Sequence, residues 1–173
     1  MRAWLALLLI FPLAAGAQIF GFGENGGKRD RAAESKALLP EFPKPENYLP
    51  FEVSATTPFS FFVDEKSISI VADNVVRYSL IAKSADGALN VSYEGLRCGE
   101  HEFRIYAVGQ SDKTWTEVQN SNWKPLRLDP RNAQRVVLYS DFFCPLTGFI
   151  ADNDEAVRSL RNGGNPRSFT PGY

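Results

Sequence analysis

Two cysteines, a single histidine and a set of dispersed carboxylates are the residues of this chain with the most obvious chemistry. An even pair of thiols in a small exported domain points to a disulfide between Cys98 and Cys144. Closing the 46-residue separation would stabilise the fold by about 4 kcal/mol on the chain-entropy argument. A redox pair or half of a metal site are the alternatives, but the sequence has no Cys-x-x-Cys pair and its one histidine cannot supply a multi-histidine zinc site.

That histidine, His101, sits between Glu100 and Glu102. On a strand the two glutamates face one way and the imidazole the other, so the three converge only if the backbone turns there. Solvated strand-end residues are therefore the preferred reading over a metal site or a general base. Serine catalysis has no Gly-x-Ser-x-Gly elbow to stand on and only His101 as a histidine base. A carboxylate pair needs no local signature, which keeps a small hydrolase as the alternative function. It would require Glu94, Glu100, Glu102 and Asp141 to converge in a cleft. No catalytic residue, metal ligand or cofactor site is assigned.

A third group mixes charge with aromatic surface: Arg97, Glu102, Arg104, Tyr106, Trp115 and Trp123. Tryptophan, tyrosine and arginine are enriched at binding hot spots because each joins a large contact area to a polar handle. These six residues form the candidate binding surface. The ordinary alternative, which carries more weight, is that the tryptophans plug the core and the charged residues line a wet sheet face.

The elements that must position these groups follow from periodicity. Residues 18–50 read as a flexible or extended arm, rich in glycine and then in Pro40, Pro43, Pro45 and Pro50. Ala, Glu, Lys and Leu between Arg31 and Leu39 permit a short helix that Pro40 would stop. Beyond it, short runs of Val, Ile, Phe and Tyr separated by turn residues predict an antiparallel meander of five or six strands. Phe59–Val63 and Ser67–Val71 flank Asp64-Glu65-Lys66 as a hairpin. In Val75–Lys83, Val76, Tyr78, Leu80 and Ala82 share one face while Arg77, Ser79 and Lys83 point mostly to the other, predicting one buried and one wet side. Asp86-Gly87 makes a tight turn into Leu89–Arg97. Phe103–Val108 and Thr114–Val118 complete the meander.

After Pro125 the period becomes helical. Asp129-Pro130 starts a helix placing Ala133, Val136, Val137, Ser140 and Phe143 on one side and ending near Cys144-Pro145. The disulfide would pin that end to the sheet. A second short helix begins at Asp152, with Glu155 in capping position, and stops at Gly163-Gly164. Residues 51–163 thus form one α+β domain, and 164–173 a loose tail.

Residues 1–17 read as a cleavable signal peptide: Arg2, an apolar run from Ala3 to Ala15, and the small residues Ala15-Gly16-Ala17 before Gln18. The run is too short and too interrupted by Pro12 to stay as a membrane span. No cysteine follows the cleavage site, so no lipid anchor is expected. The formal net charge of −1 becomes −2 once Arg2 is lost, and neither value suggests a nucleic-acid surface.

Several blocks resemble the cryptic neisserial protein family of small bacterial periplasmic proteins of unknown function. They are Phe62-Val63-Asp64, Ser67-Ile68-Ser69, Val75-Val76-Arg77-Tyr78, Asn90 to Cys98, Tyr106-Ala107-Val108-Gly109 and Trp115, within a stretch from about Leu39 to Pro145. The resemblance implies a periplasmic protein and carries over no catalytic residue. The expectation is an exported, non-catalytic binding or structural module of the envelope, with an envelope protein or small ligand as its partner.

Overall fold

The computed structural model describes Glu34 and residues 36–70, 74–147 and 149–168. The chain divides into two units, Met1–Arg31 and Ala32–Tyr173, and all the described residues belong to the second. The expected signal peptide, the glycine-rich start of the arm and the last five residues lie outside the described residues.

An antiparallel sheet in the order β1-β2-β3-β4-β5-β6 organises this unit. The strands are β1 Tyr48–Phe51, β2 Phe59–Ile70, β3 Val75–Ser84, β4 Leu89–Arg97, β5 Glu102–Gly109 and β6 Trp115–Glu117. A two-residue strand, β7 Lys124–Pro125, pairs with β5 beside β6. With the C-terminal helices and the Cys98–Cys144 disulfide, whose Cα atoms lie 5.3 Å apart, this is an α+β fold. Strand β4 occupies the residues expected to pair back after the Asp86-Gly87 turn. Strand β1 falls within the stretch read as arm, where its Pro50 and short length hide the pattern.

One sheet face is covered by the C-terminal segment. Val63, Val76, Tyr78, Leu80, Leu96 and Phe103 pack there with Leu138, Phe142, Phe143, Ile150 and Leu160. Full burial of each such side chain contributes about 1.5–3 kcal/mol. The covering begins with a 3-10 turn, Pro130–Asn132, capped by the Asp129 carboxylate accepting from the Arg131 N–H. It passes into α1, Ala133–Val137, and then a π-helical stretch, Leu138–Phe143, in which the Cys144 N–H reaches back to the Tyr139 carbonyl at 2.9 Å. The wider turn rotates the pattern away from a 3.6 period. Leu138, Phe142 and Phe143 are consequently buried while Ser140, expected on the inner side, is exposed. Helix α2, Asn153–Arg161, is capped by Asp152 accepting from the Glu155 N–H at 2.8 Å.

Three further expectations are corrected. Residues 64–66 are not a hairpin loop: β2 runs through them as one strand whose register passes from Asp64↔Ser79 to Ser69↔Arg77. Ser67 explains the arch, since its hydroxyl donates to the Asp64 carbonyl and accepts from the Ser79 N–H, both at 2.7 Å. No helix includes Glu34 or residues 36–39, which have no regular structure. The stretch read as a loose tail is tied down at its start, where buried Asn165 donates its N–H to the Asp141 carbonyl at 2.7 Å.

The second sheet face is not wet. Arg77, Ser79 and Ile81 are 3%, 0% and 0% exposed, because residues of the arm lie across that side. Tyr93, Tyr106 and Ala107 form a small second core with Ala37, Leu39 and Trp115.

Candidate functional site

Antiparallel register places Arg77 of β3 opposite Gly95 of β4, and Gly95 opposite Arg104 of β5. Two guanidinium groups therefore flank a residue without a side chain, on the face toward the arm. The neighbouring row adds Arg97 beside Glu102, with an ion pair at 3.4 Å. Between Tyr93 and Glu94 the β4–β5 register slips, pairing Tyr93 with Ala107 and Glu94 with Ile105. Tyr106 is thus the extra residue of a β-bulge, a device that re-aims a side chain. Its ring lies over Gly95, where a Cβ would stand 2.7 Å from the phenol oxygen. The loop from β6 to β7 brings in Trp123, whose ring stacks under the Arg97 guanidinium at 4.0 Å.

These groups converge on one carboxylate, Glu34 of the arm. Its Oε1 accepts from the Tyr106 hydroxyl and from Arg77 Nη2 at 3.2 Å. Its Oε2 accepts from Arg104 Nη1 and the Trp123 indole N–H, each at 2.9 Å. Arg97 Nη2 stands 4.0 Å away. A carboxylate has about four lone-pair sites, and four donors fill them here. Burial alone would raise the Glu34 pKa, but the Tyr106, Arg77 and Trp123 hydrogen bonds and the Arg104 charge outweigh it and hold the carboxyl below its ordinary value. The same burial, reinforced by Glu34, pushes the Tyr106 hydroxyl far above the ordinary phenol range, so it serves as a donor.

The arm makes further contacts along the same face. The Trp115 indole donates to the Pro40 carbonyl at 3.0 Å. Phe42 lies 5.2 Å from Trp115, centroid to centroid, over Gly109, where a Cβ would meet its ring at 2.9 Å. Several clefts border the arm. One of about 300 Å³ opens between Lys36, Leu39, Arg104, Glu117 and Ser121, and one of about 670 Å³ lies around Phe42, Tyr48, Val91 and Gln110.

The opposite face carries a different carboxylate–guanidinium contact. Glu94, fully buried on β4, takes a bidentate pair from Arg135 at 2.6 and 2.7 Å and a hydrogen bond from Ser92 at 2.6 Å. Arg135 also lies over the Phe103 ring at 4.7 Å. Burial, with the Glu94 charge added to it, pushes the Tyr78 hydroxyl well above the ordinary phenol range.

The six residues of the candidate surface therefore fall in one region. Arg97, Arg104, Tyr106 and Trp123 surround Glu34, Glu102 pairs with Arg97, and Trp115 holds the arm's backbone. Sequence reasoning missed Arg77, Gly95 and Glu34. A cation inside an otherwise apolar strand was a usable signal for Arg77; Glu34 had none, because its partners are far away in sequence. The carboxylates named for hydrolysis do not converge. Glu94 and Glu102 lie on opposite faces, Glu100 is exposed in the β4–β5 turn, and Asp141 accepts from Ser140. His101 occupies that turn with φ 55° and stacks on Tyr139 at 4.8 Å. Among the described residues no cluster of His, Cys, Asp or Glu could hold a metal ion, and no helix is long and apolar enough to cross a membrane.

Comparison with known proteins gives a consistent picture. Cryptic neisserial protein 1 of Neisseria gonorrhoeae (strain ATCC 700825 / FA 1090) is 27% identical over 187 aligned positions, covering 90% of this chain and 91% of that protein. No solved structure matches. The CNP1-like family matches residues 28–161, a span holding every residue of the cradle, and the chain belongs to that family.

Proposed function

We propose that this protein is a non-catalytic binding module of the bacterial envelope, exported with cleavage after Ala17, whose recognition element is the arginine, tyrosine and tryptophan cradle. The observation that carries the reading is the convergence of Arg77, Arg97, Arg104, Tyr106 and Trp123 on a single carboxylate. Charge-assisted hydrogen bonds from guanidinium and phenol groups are the strong, directional contacts that select a carboxylate. The cradle offers neither a nucleophile nor a base, since its tyrosine is held protonated, its guanidinium groups have donors only, and the lone pairs of Glu34 are taken by four donors. The disulfide supports an oxidising, extracytoplasmic setting, and the likeness to a neisserial protein a bacterial one. The hydrolase alternative loses support because its carboxylates are dispersed over two faces and a turn.

In-cell crosslinking from the native envelope tests the reading, with photoreactive groups placed once at Val118 beside the cradle and once at exposed Leu146, on the segment that covers the opposite face. A crosslinked partner at the first position, lost when Arg104→Gln leaves the protein folded, is the expected result. Partners captured only from the second position would place binding elsewhere and overturn it. The mature amino terminus, read by mass spectrometry, should be Gln18.

A further inference from the structure

We infer that the ligand of this cradle is an extended peptide segment of another envelope protein, anchored by one carboxylate, and that the arm around Glu34 is a resident stand-in for it. The inference rests on the binding-module reading and specifies the ligand's chemical class.

The face recognises more than a charge. In sequence order along the arm it takes a carboxylate at Glu34, small and branched apolar side chains at Ala37 and Leu39, a backbone carbonyl at Pro40, and an aromatic ring at Phe42. The carbonyl contact is the telling one, because a small carboxylate or a sugar acid has no main chain to offer Trp115. Glycines at 95 and 109 clear the two places where the bulkiest contacts sit, under the Tyr106 ring and under Phe42. Charge, apolar steps, main-chain acceptor and ring at fixed intervals are the features by which a groove reads an extended peptide.

The arm occupies this groove incompletely. Ahead of β1, Glu34 and residues 36–43 add no strand to the sheet, and they are held by side chains and one carbonyl. Arg104 Nε is buried without a hydrogen-bond partner, and an unmet buried donor is costly. A cleft of about 300 Å³ opens beside that same arginine. A peptide that displaces the arm and brings an acceptor to Nε would satisfy a donor that Glu34 leaves unused. A second copy of this chain offers the identical arm and leaves the same donor unused, which favours a different protein. An internal segment competes at an effective concentration in the millimolar range, so the resident arm sets a threshold that only a better-matched segment passes.

The test uses the full mature chain and a fluorescently labelled peptide of residues 32–43. Glu34→Gln keeps the arm but removes its charge, and its folding is checked by circular dichroism and the intact disulfide. The peptide should bind Glu34→Gln about tenfold or more tightly than the unmodified protein. A peptide carrying Gln at the Glu34 position should lose that gain, and Arg104→Gln added to the receptor should remove it as well. Acetate and free glutamate are the controls. If either binds the cradle as well as the peptide does, the ligand is a small carboxylate, and this inference fails while the binding-module reading stands. If neither peptide nor small carboxylate binds folded Glu34→Gln, both fall. If sedimentation shows the unmodified chain as a dimer whose arms exchange, the occupant is a second copy and the assignment to another protein is overturned.

Discussion

The two faces of the sheet solve one problem in different ways: each covers a carboxylate–guanidinium contact, but only one is locked. On the helix side Glu94 meets one arginine in a bidentate pair, beneath a segment tied to β4 by the Cys98–Cys144 bridge and by the Tyr139 hydroxyl donating to the Cys98 carbonyl at 2.7 Å. On the arm side four donors from two strands and a loop share one carboxylate, and no covalent link holds the cover among the described residues. A single buried partner is a structural joint. A ring of donors around a carboxylate on a separate segment is, under the proposed function, a receptor already loaded.

The sharpest way to break this comparison is Glu94→Ala, which leaves Arg135 buried without its anion and should cost about 3–5 kcal/mol in urea denaturation. If it cost no more than Glu34→Gln, the helix side would not be the structural one. Next in size, opening the disulfide by Cys98→Ser with Cys144→Ser should cost about 2–4 kcal/mol. It should lower the thermal midpoint yet leave the Trp123 indole resonance in place, because the bridge serves only the helix side. Smaller still, Gly95→Ala forces Tyr106 upward into the carboxylate and should cost about 1–3 kcal/mol. Its distinguishing sign is faster proteolysis of residues 36–43 with α2 still protected.

The smallest global effect comes from pH. Glu34 faces Arg77, Arg97, Arg104 and Tyr106, with Glu102 one residue further behind Arg97. Because its folded pKa is lowered, its stabilisation is fully present above the ordinary glutamate value and is lost as pH falls through the lowered one. Acidification below the ordinary carboxylate range should shift the Trp123 indole resonance before global unfolding. An indole resonance that moved only together with the unfolding transition would mean that the arm and the domain open as one.

Local rules made much of the helix side legible. The strand Leu89–Arg97 that the Asp86-Gly87 turn announces, the caps at Asp129 and Asp152, and the cysteine pair all declare themselves within a few residues. What escaped depends on distant partners. The arch at residues 64–69 needs Ser67 to find Ser79 across the sheet. The π-helical turn shifts burial from Ser140 to Phe142 with no sequence mark of its own. Arg77 looked like a solvent residue because charge predicts water unless a cover is known, and the cover here comes from a proline-rich stretch read as a flexible or extended arm. Only the register that aligns Arg77, Gly95 and Arg104 turns three unremarkable residues into a site.

The ends of the sheet carry a consequence for how this protein meets its neighbours. Among the described residues, β1 offers only four residues and includes Pro50, which has no N–H to donate. At the other end β5 is bordered by two fragments, β6 and β7, with Ser121 between them capping the Ile105 carbonyl. Neither border presents the long, regular ladder that a foreign strand would extend. In a crowded compartment such a molecule resists stacking into fibrils, and its partners are left with side chains, not backbone, as the means of recognising it.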